Sequence, residues 1–374
     1  MANNINIIAE GIAGDNEGRV LGYNDTDFGY KAPIIGTLER DSVASYIDKN
    51  GVLKFAPKNQ LRVDYTNGVA EMLLEPSSTN LITYSEDFTG WTSVSGASTT
   101  ELQINFSSSS TSRAYESLGR TINSGQVIYI RVKFSSQDVG KNIRFGIFKG
   151  GSWNYTNNIE ISDDGFAEYT EVLDSDMTIL GIVRDTQSQT NQVSIEKGRH
   201  CVQIEELSHP TSYIPTNGSI ATRQADSLTD FGFEQVIDSQ SGILFFEGSL
   251  LSNTSTSTQM SLSDGSTNNR AFVNFGSGTS SLFAGFQQAG ATQYNYTLNI
   301  NDKTTNFKIA LRYASSNFSF WFNGIQVDSQ LSGATPSDNR LNNLSMNAPN
   351  TAPFYGRVRR TNWLRFIRPN GITI

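Results

Sequence analysis

The stretch Phe318-Ser-Phe-Trp-Phe-Asn-Gly-Ile-Gln-Val-Asp328 constrains what this chain can fold into more than any other. Asn323-Gly324 supplies two adjacent residues that tolerate positive φ, as a two-residue hairpin turn requires. The flanks alternate at the period of two that belongs to a strand, with Phe318, Phe320 and Phe322 on a core face and Trp321 on the other. Further strand candidates, each an alternating stretch or a short apolar run between turn signals, lie at Val127 to Phe134, Ile143 to Phe148, Met177 to Val183, Gly242 to Gly248, Arg270 to Phe275 and Phe307 to Tyr313. Lys49-Asn50-Gly51 and Thr66-Asn67-Gly68 add further hairpin turns. Runs of Ala, Leu, Glu and Lys long enough for a stable helix are scarce. Many strands without an intervening helical period predict an all-β chain of antiparallel sandwiches, not a βαβ fold.

A chain of 374 residues exceeds what one core usually supports, so two domains plus extra segments are expected. Its 22 Phe and 14 Tyr can cover one face of each sheet while the other stays wet. Residues 1–44 are rich in Gly, Asn and Asp around Ile5 to Ile8 and Ala32 to Ile35, patches too small for a core. They predict an extended arm that folds against another body. The first sandwich, with its leading hairpins, is placed at 45–226 and the second at 227–374.

Net charge is −8, which repels phosphate backbones and excludes free nucleic acid as a partner. The lone Cys201 excludes an intrachain disulfide and any multi-cysteine metal site. The first residues lack the basic start and apolar run of a secretory signal, and no later stretch reads as a membrane span. Assembly in the cytoplasm, without membrane insertion, is the expectation.

His200 and His209 are the only histidines, so a triad or dyad must use one of them. Cys201 follows His200 directly, and neighbours on a strand point to opposite faces, which favours a buried structural cysteine. His209 precedes Pro210 in a loop, where stabilising the turn accounts for it. Asp163-Asp164-Gly165, Asp174-Ser-Asp176 and Glu205-Glu206 could supply glycosidase carboxylates or calcium oxygens, and solvated turns explain the first two equally well. EF-hand spacing, a phosphate loop, a nucleophile elbow and zinc spacing are all missing. No catalytic, cofactor or metal residue is assigned, the chain is read as no enzyme, and structural calcium is compatible but not indicated. The aromatics suited to stack on a sugar ring or touch a partner are Trp91, Trp153 with Tyr155, and Trp321. Packing over a loop competes as the role of Trp153 and Tyr155. The basic run from Arg357 through Arg360 to Arg365 and Arg368 is either a docking patch or a solvated strand face.

The stretch from Asn67 through Glu75-Pro76-Ser-Ser-Thr79-Asn80 and Tyr84-Ser85-Glu86-Asp87-Phe88 to Trp91 resembles a segment of phage virion proteins and related bacterial surface modules. In that group it opens a jelly-roll domain similar to carbohydrate-binding modules. The matching closing signature is Gln203-Ile-Glu205, Thr211-Ser-Tyr213-Ile-Pro215-Thr216, Thr222-Arg223 and Ala225-Asp226. The chain departs from such modules at Lys197 to Val202, where a Trp or Phe strand is usual, which argues against a sugar site on that strand. Residues 242–367 look like a concanavalin or laminin-G type sandwich, with Phe354-Tyr-Gly356-Arg-Val358 resembling its closing strand. The resemblance implies two jelly-roll sandwiches behind an N-terminal anchor and a structural role in a phage particle, as a head or tail fibre or surface-decoration subunit. The expected partners are capsid or tail proteins and further copies in a homo-oligomer, dimer or trimer, with the virion as location. The alternative is a carbohydrate-binding adhesin that recognises host surface glycans.

Overall fold

The computed structural model describes residues 36–187, 189–229, 237–253, 258–276, 281–347 and 353–361, and the backbone alone of strands at 5–8, 12–14, 19–22, 231–232 and 362–364. Among the described residues the chain is all β, and the one helical element is the 3-10 turn Ser136–Asp138. The chain forms two compact units, one inserted into the sequence of the other: residues 52–55 with 77–224, and residues 1–51 and 56–76 with 225–374.

The inserted unit is an antiparallel sandwich. Its larger sheet runs Thr92–Val94, Arg113–Ile122, Met177–Arg184, Asn142–Lys149 and Ser152–Tyr155, with Ile159–Glu160 also paired to Asn142–Lys149. A three-stranded sheet of Phe166–Val172, Val127–Lys133 and Val202–Glu205 supplies facing side chains. Along Val127–Lys133 buried and half-buried residues alternate without a break, as the sequence period demands. Ile128, Ile130, Val132 and Ile204 from this sheet share one core with Ala114, Ile143, Phe145, Ile147 and Ile182 from the larger. Cys201 belongs to that core as a free thiol, and burial pushes its pKa up to about 12.

The outer unit is a second sandwich. One sheet runs Ile325–Gln330, Phe318–Phe322, Phe307–Ala314, Ser241–Leu250, Gly356–Leu364, Glu71–Leu74 and Val63–Asp64, and Ile5–Ile8 pairs with the far half of Gly356–Leu364. The other runs Phe231–Gly232, Asn343–Ser345, Thr258–Ser263, Arg270–Phe275, Ser281–Gln288 and Ala291–Asn299. Phe246 anchors the core between them, with ring centroids 5.4, 5.7 and 5.3 Å from Phe275, Phe307 and Phe354. Smaller strands at Ile12–Gly14, Arg19–Gly22, Gly36–Glu39 and Ser227–Thr229 form a separate sheet.

The hairpin read from Phe318 to Asp328 forms as expected. Phe322 pairs with Ile325 across a turn whose Asn323 and Gly324 have φ of 48° and 84°. Phe318 and Phe320 are buried, and Trp321 faces outward. Two segments fall elsewhere than the sequence suggested. Residues 56–76, assigned from sequence to the first sandwich, group with the outer unit because Glu71–Leu74 hydrogen-bonds to Gly356–Leu364. The backbone of Ile5–Ile8, expected in an arm that folds against another body, pairs with residues 360–363 of its own chain. Long-range strand pairing of this kind leaves no mark in local periodicity.

The stretches at 67–91 and 203–226 have a structural use. Ser78–Asn80 pairs with Ala221–Arg223, joining the two ends of the inserted unit. The Asn80 amide donates to the carbonyls of Val202 and Ile214 at 3.0 and 2.9 Å and accepts from the amides of Ile82 and Ile204. Gln203 accepts from Ile214 N at 2.7 Å, and Glu205 accepts from Thr211 N at 3.1 Å and from the hydroxyls of Ser78 and Thr211. In the outer unit Asp226 binds Arg62 at 2.5 Å and Arg40 at 2.9 Å, and Arg62 also binds Glu75 at 2.6 Å, with all four residues buried. Burial alone would lower the Arg62 pKa, but Asp226 and Glu75 together hold it above the ordinary arginine value.

Candidate ligand-binding face

The larger sheet of the inserted unit turns its second face away from the core, and the register sets out what lies on it. One cross-strand row reads Val94, Arg113, Val183, Arg144. The next reads Thr92, Tyr115, Gly181, Gly146, Tyr155, and the one after brings Phe148 opposite Trp153. Residues two apart on a strand share a face, so Trp153 and Tyr155 project together from Ser152–Tyr155, and Arg113 and Tyr115 from Arg113–Ile122.

Gly146 and Gly181 face each other across adjacent strands and leave the sheet surface bare between them. The Trp153 ring occupies that space. A Cβ on Gly146 would come within 3.0 Å of the ring, and one on Gly181 within 3.3 Å. Tyr115 and Phe148 meet the Trp153 ring edge-on at 5.3 and 5.4 Å. Tyr155 lies parallel to it, with planes 4° apart and centroids separated by 6.2 Å. Two arginines cap this group: the Arg113 guanidinium is 4.3 Å from the Trp153 centroid, and that of Arg144 is 5.1 Å from the Tyr155 centroid. Trp153, Tyr155, Tyr115 and Arg113 are half-buried, so each shows part of its surface to solvent. A flat aromatic surface beside fixed guanidinium donors can take the C–H face of a sugar ring and hydrogen-bond its substituents.

The aromatics singled out from sequence therefore separate. Trp153 and Tyr155 come together, and Tyr115 and the two arginines join them from strands distant in sequence. The signal for these partners was present only as the outward phase of Arg113–Ile122 and Asn142–Lys149. Trp91 is 3 % exposed, its indole N–H donates to the Tyr84 carbonyl at 3.1 Å and its ring meets Phe88 edge-on at 5.0 Å. It is core and not a ligand contact. Trp321 lies on the outer unit, 37 % exposed, with its N–H on Ser319 Oγ at 3.1 Å and no aromatic ring stacked beside it among the described residues.

The remaining candidates have local roles. His200 packs against Phe166 and Tyr213 at 5.3 and 4.8 Å, and burial, with Arg131 and Lys133 nearby, holds its pKa well below the ordinary histidine value. Asp164 caps the turn through Ser162 and Phe166, Asp174 pairs with Lys149 at 3.1 Å, and Asp176 accepts from Ser124 N at 2.8 Å. Glu206 pairs with Arg120. Among the described residues no three His, Cys, Asp or Glu side chains gather as a metal site would require. Arg357 contacts Asp64, and Arg359 pairs with Glu71 at 2.8 Å, so this part of the basic run is neutralised within the unit. Arg365 and Arg368 lie outside the described residues.

No family model and no curated protein matches the sequence. Among solved structures the chain is similar to the N-terminal CBM22-1–CBM22-2 tandem domain of Xyn10C from Paenibacillus barcinonensis. The identity is 12%, the match covers 77% of this chain and 98% of that one, and the TM-score is 0.25.

Proposed function

We propose that this chain is a non-enzymatic glycan-binding protein whose inserted sandwich recognises sugar rings on the face built by Tyr115, Trp153 and Tyr155. One observation carries this: aromatic rings from three strands, two of them parallel within 4°, gather around a glycine-floored patch on the solvent side of a sheet whose other side is core. A half-exposed cluster of aromatics on an outward sheet face, with polar groups beside it, is what ring stacking requires. The test is a glycan array probed with the full chain, followed by calorimetry on the best binder. Tyr155→Ala should weaken binding about five- to thirtyfold, as loss of one aromatic contact of about 1–2 kcal/mol implies, while leaving the melting temperature close to that of the parent. Unchanged affinity in that variant would remove the platform from the account.

A second function is compatible with the first and rests on a different observation, the paired stretches at 67–91 and 203–226 that resemble phage virion proteins. On this ground we infer a fibre or surface-decoration subunit of a phage particle, assembled as a homo-oligomer on capsid or tail proteins, with the glycan face turned to the host. Cryo-electron microscopy of purified particles tests it. Density for both sandwiches on the particle supports it, and their absence from infectious particles rejects it.

A further inference from the structure

We propose that the same face selects an anionic saccharide, whose carboxylate is held by Arg113 and Arg144 while its ring lies against the aromatic rings. This deepens the glycan-binding function above and rests on it. Arg113 and Arg144 stand on either side of Val183 in one cross-strand row, two strands apart. Both guanidinium groups approach the same ring, at 6.0 and 5.1 Å from the Tyr155 centroid. They converge on one place instead of diverging into solvent.

Among the described residues neither of these two arginines has a carboxylate partner, unlike most arginines with charged neighbours in this chain. Arg40, Arg62, Arg120, Arg131, Arg199, Arg340, Arg357 and Arg359 all form ion pairs within their own unit. Among the described residues Arg113 and Arg144 form none, in a chain that carries eight more negative than positive charges. Asp185 lies close enough to be felt by Arg144, but its two oxygens accept from the amides of Gln189 and Thr190 at 3.1 and 2.9 Å. Arg144 is also only 7 % exposed. A cation withdrawn from water without a counter-ion is a standing cost that an incoming anion relieves.

Unused donors complete the case. A guanidinium has five N–H groups. Arg113 uses Nη1 on the Thr111 carbonyl at 3.1 Å; its Nε is covered, and its Nη2 is left without a hydrogen-bond partner. Arg144 uses Nε on the Arg184 carbonyl at 2.9 Å and Nη2 on that of Ser110, leaving Nη1 without a partner. These backbone contacts fix each fork, and stacking of Arg113 over Trp153 orients its plane. A fixed fork with open N–H groups matches a carboxylate in a way that a hydroxyl cannot.

The experiment is calorimetry of the full chain with polygalacturonate, alginate and hyaluronan oligomers and sialyllactose, each beside its neutral methyl ester, and with polyglutamate. We expect at least one acidic saccharide to bind about tenfold or more tightly than its ester, in line with the greater strength of charge-assisted hydrogen bonds. That preference should shrink about tenfold in Arg113→Gln and be partly restored in Arg113→Lys, with melting temperatures confirming the fold. Arg144→Gln should act the same way, but Arg113 carries the test if the more deeply set Arg144 variant fails to fold. Equal binding of acid and ester overturns the anion selection while the aromatic platform stands. Polyglutamate binding as tightly as the best saccharide overturns the need for a sugar ring. Failure of the whole panel, acidic and neutral alike, overturns the platform and the selection together.

Discussion

At the scale of single residues, the side chains with most at stake are those whose polar groups have been taken out of water. His200 illustrates the sign of such a cost. Its folded pKa is held well below 6.5 by burial and by Arg131 and Lys133, so the unfolded chain accepts a proton that the folded chain refuses. Stability attributable to His200 is therefore complete above the unfolded value and is lost as pH falls through and below it, by up to about 1.4 kcal/mol per pH unit. Urea denaturation at about pH 7.5 and about pH 5.5 should show this loss, and His200→Phe should flatten it in that window. Asp226 is the stronger case, since its carboxylate is shared by Arg40 and Arg62 and also accepts from Glu75 N at 2.8 Å. Asp226→Asn leaves two buried guanidinium groups short of charge and should lower the unfolding free energy by about 3–5 kcal/mol. A loss under about 1 kcal/mol in that titration would mean that water reaches the network.

At the scale of elements, glycines decide where strands and rings can approach. Gly146 and Gly181 carry no side chain in the row that the Trp153 ring covers, and a methyl group on Gly146 would also meet Val183 Cγ2 at 2.9 Å. Gly146→Ala should therefore displace the indole, changing tryptophan fluorescence and weakening ligand binding more than it lowers stability. Gly248 is a contrasting case, at a bulge between Ser241–Leu250 and Gly356–Leu364, where an added Cβ would lie 2.1 Å from the Arg357 carbonyl oxygen. No rotamer relieves a clash with backbone, so Gly248→Ala should cost several kcal/mol and show it as a lowered denaturation midpoint. The hairpin turn falls between these. Gly324 has open space around its Cα but a φ of 84°, so Gly324→Ala should cost only about 1 kcal/mol through backbone strain.

At the scale of the whole molecule, the main stretch of the inserted unit, residues 77–224, begins and ends on paired strands, Ser78–Asn80 and Ala221–Arg223, and carries the buried residues of its core. Residues 77–224 expressed alone should fold and unfold in one cooperative transition, because chain ends that meet at a surface are where domains can be cut and joined. In the outer unit the Glu75 amide reaches the Asp226 carboxylate at 2.8 Å, so a short Gly-Ser link replacing 77–224 should leave a folded sandwich. Loss of the near-ultraviolet circular-dichroism signal or of the cooperative transition in either fragment would show that it depends on the rest of the chain.

The sequence alone determined the class of fold, because a strand facing a core on one side must alternate its side chains at a period of two, and Val127–Lys133 and Phe307–Ala314 do so openly. It determined the Asn323-Gly324 turn for a local reason also, the steric tolerance of two residues for positive φ. It singled out Trp153 and Tyr155 but could not separate them from Trp91, since alternation shows that two residues share a face without showing which face is covered. Only the tertiary structure placed Trp91 in the core, and only it brought Tyr115, Arg113 and Arg144 to Trp153 from strands up to 40 positions away in sequence. It also moved Glu71–Leu74 and Ile5–Ile8 onto the sheet of the second sandwich. Pairing between distant strands is chosen by the global fit of two cores and by edges left open, quantities that belong to the folded chain and not to any window of its sequence.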